Sequence, residues 1–169
     1  MTYMANHEYR ISQSTMAIQQ AFHLEYESVI YDRKGTYYSK KPVMALLEES
    51  CLRAGSKMKG RLEAARHTLT IRNKIPLIID PLTYLYAFPT HSSTNDQNIW
   101  FFPPHVVDQR PHPDNPKKTI IILSTNQFIT ANCSLSSFRN QQKRTSQLFY
   151  EFSFFPRIDP DRPRDPFPI

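Results

Sequence analysis

Ser28-Val29-Ile30-Tyr31-Asp32-Arg33-Lys34-Gly35-Thr36-Tyr37-Tyr38-Ser39 is the stretch on which the reading of the fold turns. Its two ends, residues 28–31 and 36–39, hold β-branched and aromatic residues, which suit a pleated, half-buried surface. Between them, Gly35 can supply the positive φ that a tight turn needs. The pattern predicts an antiparallel hairpin. Nothing elsewhere in the chain shows βαβ alternation or a helix-turn-helix signal.

Working outward, Pro42 opens a helix, because its missing N–H is tolerated in the first turn. Val43, Leu46, Leu47, Cys51 and Ala54 form a stripe at 3.6-residue spacing that should face the core. Glu49 and Arg53 are placed to pair on the outside, and Gly55 is a natural helix stop. Residues 56–66 are a basic stretch with Gly60 in its middle, where the backbone can bend or approach another surface. Residues 67–72 alternate polar and apolar and predict a strand. Residues 76–79 and 82–88 predict two more, joined at Asp80-Pro81 and ended by Pro89. Residues 90–95 suit a capped turn, and 98–102 a strand around Trp100. Residues 103–116 are rich in Pro and His and predict a loop. Residues 119–123 and 127–130 predict a strand pair. Ser134, Ser136 or Ser137 can cap a second helix running to about Phe152. Its inward side would be Phe138, Thr145, Leu148, Phe149 and Phe152; Arg139, Gln142, Lys143 and Ser146 share another side. The expected fold class is α+β, a mostly antiparallel sheet of short strands with about two packed helices. The expected organisation is a polar N-terminal segment (1–27), one domain (28–153) and a Pro-rich extended tail (154–169).

The charge is unevenly spread. Residues 51–74 hold Arg53, Lys57, Lys59, Arg61, Arg66, Arg72 and Lys74 against Glu63 alone, a net +6 that equals the charge of the whole chain. Residues 1–50 and 75–115 are net −1 and −3, and residues 116–169 net +4. Such a cluster is the footprint expected of phosphate contacts, although a solvated face gives the same pattern.

An ordered set of short motifs then resembles the ComK family of competence regulators. It runs Lys41-Pro42, Glu49-Ser50-Cys51, Gly55-Ser56, Gly60-Arg61, Pro76, Ile78, Asp80-Pro81, Phe88-Pro89-Thr90, Ser92-Ser93-Thr94, Trp100 and His105. Ser137-Phe138, Asn140-Gln141 and Arg144-Thr145 extend it, so that the resemblance covers roughly residues 28–150. It implies a transcription activator of DNA-uptake genes that binds AT-rich boxes of double-stranded DNA, mainly through the minor groove, as a dimer or tetramer. It also implies control by a Clp-protease adaptor through a C-terminal segment, which differs here: this chain is shorter and ends in the Pro-rich tail.

Recognition of an A·T groove needs cations, drawn by its enhanced negative potential, and donors to meet its acceptor-only floor. Lys57, Lys59, Arg61, Arg66, Arg72 and Lys74 are the candidate DNA-binding cations. Arg61 is the first choice for insertion, beside Gly60. Phosphate contact and plain surface are the competing readings of this set. Arg139, Lys143 and Arg144, with Gln142, Ser146 and Gln147, form a second candidate surface or a solvated helix face.

Other classes fit poorly. No apolar run approaches the roughly 20 residues of a membrane span. Residues 1–20 lack the pattern of a signal peptide, so a cytoplasmic protein without membrane contact is expected. Cys51 and Cys133 stand far apart with no CxxC, which argues against a zinc finger and for buried, reduced thiols. His67, His105 and His112 would bind a metal only if the fold gathered them. No nucleophile elbow, phosphate loop or HExxH is present, so neither an enzyme nor a cofactor is expected. The alternative function is a degenerate relative that regulates a full-length homologue through protein contacts.

Overall fold

The computed structural model describes residues 4–5 and 9–153. The expected Pro-rich tail lies outside them. Among the described residues, a seven-stranded sheet runs in the order β1 (Met4–Ala5), β4 (Gly35–Ser39), β3 (Ser28–Asp32), β2 (Thr15–Gln20), β7 (Ile99–Phe101), β6 (Leu85–Pro89) and β5 (Leu77–Asp80). Every pairing is antiparallel except that of β1 with β4. A second sheet orders β10 (Phe128–Ala131), β9 (Thr119–Leu123) and β8 (Val106–Pro111). Three helices join them: α1 (Val43–Arg53), α2 (Met58–Leu69) and α3 (Leu135–Phe152). The fold is α+β and mostly antiparallel, as the sequence predicts.

The large sheet is buried on both faces, and side-chain alternation sorts its residues between them. Ile18, Ile30, Leu77, Ile79, Ala87 and Trp100 face one way, against Leu46, Leu47 and Cys51 of α1 and Met58 of α2. Met16, Ala17, Phe88 and Phe101 face the other way, against Ile121, Leu123 and Ile129 of the small sheet and Phe138 of α3. Phe138 meets the rings of Phe88 and Phe101 edge-on, with centroids 5.3 and 5.4 Å away. That geometry suits the ring quadrupoles. A third cluster, Ala65, Ile75, Ile78 and Leu148, packs α2, β5 and α3 together.

The hairpin forms where expected, with Gly35 at φ 149° in its turn. The stop at Gly55 also forms. Ser56 N–H donates to Cys51 O and Gly55 N–H to Leu52 O, so two orphan carbonyls of α1 are satisfied. Ser134 caps α3 by accepting from the N–H of Ser137 at 3.2 Å.

Four expectations are corrected. Residues 67–72 are not a strand. The basic stretch continues as α2 to Leu69, because Leu62, Ala65 and Leu69 together bury one helical face against Ile75, Ile78 and Leu148. With α1 it makes two consecutive helices joined across Gly55, an arrangement the sequence did not signal. Gly60 makes no bend: it sits in the first turn of α2. Residues 103–116 are not simply a loop, since a short 3-10 turn leads into β8, an edge strand on β9. Pro111 closes that strand, a position where a missing N–H is tolerated. Glu49 pairs not with Arg53 but with Lys41, at 2.7 Å.

Residues 9–20, part of the segment expected to be polar, contribute side chains to the core. Tyr9 is buried, and its hydroxyl donates to Asp32 Oδ2 at 2.7 Å and shares a hydrogen bond with Thr15 Oγ1 at 2.6 Å. Asp32 also accepts from Ser14 Oγ and from the N–H of Lys34 in the hairpin turn. Burial raises the ionisation of Tyr9 far above the ordinary tyrosine range, so it stays a donor. Tyr9→Phe leaves Asp32 and Thr15 short of a partner in the interior. It should lower unfolding free energy by about 1–3 kcal/mol. Urea denaturation followed by Trp100 fluorescence measures this, and an unchanged midpoint would mean that residues 9–15 do not dock.

Candidate nucleic-acid interface

Of the six cations expected in the basic window, the fold separates one from the rest. Lys57 is the exposed N-cap of α2, Lys59 is exposed in its first turn and Arg66 in its last. Arg61 turns inward. Its Nη1 donates to Ile78 O at 3.1 Å and its Nη2 to Ala54 O at 3.3 Å, while Nε is buried with no partner among the described residues. Ala54 caps α1, where partial negative charge gathers on unpaired carbonyls. Arg61 therefore ties the end of α1 to β5. The connection is reciprocal, because Glu48 of α1 accepts from the N–H of Met58 at the start of α2.

Beyond α2 the chain reverses twice. Thr70 and Lys74 both lie in the left-handed region, at φ 54° and 51°. A β-branched residue there is a true outlier, held only where surrounding contacts over-determine it. Gln141 of α3 supplies one such contact. It is buried, and its Nε2 donates to Lys74 O and to Pro89 O, both at 2.8 Å. The loop is thereby fixed against the helix.

Between loop and helix opens a cleft of about 470 Å³. Arg72, Asn73 and Lys74 line one wall; Ser137, Asn140 and Arg144 line the other, with Thr70 and Gln141. The lining holds three cations, three amides and two hydroxyls, and no carboxylate. Arg144 Nη1 donates to Gln141 Oε1 at 3.2 Å, which aligns its guanidinium along the helix. A second depression shares Asn140 and is lined by Lys143, Arg139 and Ser136. Here the field weakens. Asp108 of β8 is held below the usual carboxylate range first by a hydrogen bond from Arg110, and also by the nearby charge of Arg139. Gln142 reaches the same strand, donating to Gln109 Oε1 at 3.4 Å.

The structure thus brings Arg72 and Lys74 together with Arg144, sequence neighbours of neither. Lys57 and Lys59 stay on the face of α2. Sequence reasoning assigned no binding role to Thr70, Asn73, Ser137, Asn140 or Gln141. The signal at hand was the Asn140-Gln141 pair, whose amides recur with the cations.

The remaining candidates find structural partners. Cys51 and Cys133 are free and buried, and burial pushes each thiol up to about 11. Both are inert as nucleophiles near neutral pH. His105 is buried between Ser124 Oγ, at 3.0 Å, and Gln13 O, at 2.6 Å. Among the described residues no group of three or more His, Cys, Asp or Glu is gathered to hold a metal. Residues 90–95 do form a turn: Asn95 N–H donates to Ser92 O, and Thr90 Oγ1 accepts from the N–H of Ile99. Among the described residues no helix is long and apolar enough to cross a membrane.

Comparison with known proteins places the chain by its sequence. A family model described as ComK protein matches residues 6–154. The competence transcription factor of Bacillus subtilis (strain 168) is 29% identical over 132 residues, covering 78% of this chain and 67% of that protein. No solved structure matches the chain at a significant level.

Two neighbouring substitutions separate the structural cation from the exposed backbone. Arg61→Ala strands the carbonyls of Ala54 and Ile78 and should cost about 1–3 kcal/mol of stability. Gly60→Ala meets open space around the added methyl. It should stabilise by about 0.5–1 kcal/mol, the helix preference for Ala over Gly. Denaturant midpoints of the two variants should move in opposite directions. A wild-type midpoint for Arg61→Ala would mean that its guanidinium does not hold α1 to β5.

Proposed function

This chain belongs to the ComK family, and we propose that it is a DNA-binding transcription regulator whose main contact is the basic cleft between residues 70–74 and α3. The observation that carries this is the convergence of Arg72, Lys74 and Arg144 with Asn73 and Asn140 in one open, carboxylate-free cleft. Cations alone would suit any polyanion. Cations interleaved with amide and hydroxyl donors suit the floor of an A·T minor groove, which presents acceptors only. A narrow A·T groove also concentrates negative potential, which favours an inserted guanidinium. Exposed Arg72, on a loop already held in place, is the insertion candidate; Arg61, engaged inside the fold, is not.

The other cations have supporting roles in this reading. Lys74 and Arg144 flank the groove. Lys143 and Arg139 extend the track along α3. Lys57, Lys59 and Arg66 meet phosphates from α2, which positions the duplex without reading it. As a member of the ComK family the protein would act on DNA in the cytoplasm, as a dimer or tetramer, and activate DNA-uptake genes. Control by a Clp-protease adaptor belongs to the same proposal. Chemistry on a substrate has no place in it, because the cleft lining holds no imidazole, thiol or carboxylate.

The test is fluorescence anisotropy with a duplex carrying two A·T boxes, beside a G·C-rich duplex of equal length, over a range of salt. Preferential binding to the A·T duplex is expected, with affinity falling steeply as salt rises. Arg72→Ala and Arg144→Ala should each weaken binding about tenfold and reduce the salt slope by about one unit. Folded protein that binds neither duplex would overturn the reading. It would then favour a regulator that works by contacting a full-length homologue.

A further inference from the structure

Beside the start of β2 lies a cavity of about 450 Å³ that shares no residue with the basic cleft. Its volume is in the range of small-molecule sites, about 300–1,000 Å³. Leu85, Phe102 and Pro104 give it apolar surface, Ser12 and Thr83 bring hydroxyls, and no carboxylate lines it. Its walls come from separate parts of the chain and are tied together. Gln13 Nε2 donates to Thr83 O at 2.9 Å, and Gln13 O lies 2.6 Å from His105 Nε2. His105 is buried and also meets Ser124 Oγ at 3.0 Å. The cavity is therefore formed in advance, which lowers the ordering cost of taking up a ligand.

Two further lining residues, Tyr84 and Arg33, supply what a ligand would meet. Tyr84 follows the 3-10 turn Pro81–Thr83 in the left-handed conformation, at φ 56°. For a bulky residue that is an outlier, and such backbone costs free energy. Burial repays little of it, because Tyr84 is 63% exposed. Its ring meets Phe149 of α3, with 5.5 Å between centroids, and most of it stays open. Arg33, in the turn between β3 and β4, is exposed, and among the described residues it forms no ion pair.

An open aromatic ring and an uncommitted guanidinium on one carboxylate-free cavity suit a flat base that carries a phosphate. Every nucleobase has a π-face that stacks on an exposed tyrosine. The guanidinium fork matches the oxygens of a phosphate. The hydroxyls of Ser12 and Thr83 can meet a sugar or a base edge. We propose that this cavity binds a nucleotide, its base laid on Tyr84 and its phosphate on Arg33, supplied either free or by an unpaired strand. Duplex contact through the basic cleft is independent of it.

The experiment titrates the full chain with adenosine monophosphate and with adenosine, followed by saturation-transfer NMR of the base protons. The nucleotide should bind about tenfold more tightly than the nucleoside. Arg33→Gln should bring the nucleotide down to the affinity of adenosine and leave adenosine unchanged. Tyr84→Asn should weaken both about tenfold. Asn tolerates the left-handed backbone at this position, so the fold should hold, with unchanged Trp100 emission and unchanged binding of the A·T duplex. A single-stranded oligodeoxyadenylate, followed by anisotropy, tests the other source. Nucleotide binding that needs both residues assigns a free ligand, and strand binding that needs both assigns an unpaired base; either supports the proposal. Binding of the nucleotide or the strand that is indifferent to either variant overturns it. So does folded protein that binds neither probe at millimolar concentration.

Discussion

A guanidinium inside the fold, that of Arg61, holds the C-terminal carbonyl of α1 to the backbone of β5. Much of the remaining geometry follows from that tie. An arginine is suited to it because its fork of donors can meet two carbonyls on different elements and stay charged while half-buried. With Glu48 holding the start of α2, the two helices form one unit across Gly55. That unit covers one face of the large sheet. It also sets where α2 ends, and so where the chain must turn back toward β5.

The turn back creates the cleft. Two residues in left-handed conformations, Thr70 and Lys74, reverse the chain within five residues. Such backbone costs free energy, about 1–3 kcal/mol per residue, and needs compensation nearby. Gln141 provides it with one amide bonded to two carbonyls. The same glutamine carries Arg144 at the cleft wall. A single buried amide therefore fixes the loop, the helix and the orientation of one cation. The cations of the cleft are thus positioned before any ligand arrives, which lowers the ordering cost of binding.

The sequence made some elements legible and hid others for identifiable reasons. The hairpin at Gly35, the stripe of α1, its stop at Gly55 and the serine cap of α3 all depend on residues within a few positions of one another. Each was readable. By contrast, residues 67–72 satisfy a period of two and also continue the helical face of Leu62, Ala65 and Leu69. The choice fell to the partners of that face, Ile75, Ile78 and Leu148, which lie elsewhere in the chain. Strand β8 was hidden by its prolines and is stabilised by its ladder with β9. The segment before residue 28 looks polar by composition, yet Tyr9, Met16 and Ile18 in it are buried.

By itself, then, the sequence determined the fold class, the two helix boundaries marked by Gly55 and Ser134, the concentration of positive charge in residues 51–74 and the motifs that carry the family resemblance. These are local or compositional properties, and short-range sterics and charge counting reveal them. Tertiary structure alone decided that α2 exists to its full length, that Arg61 is spent on the fold, and that Arg72 and Lys74 face Asn140 and Arg144. Those facts rest on contacts between separate elements, from Arg61 on Ala54, seven positions away, to Gln141 on Lys74, 67 positions away. Such contacts depend on how faces bury against each other, which no local pattern encodes.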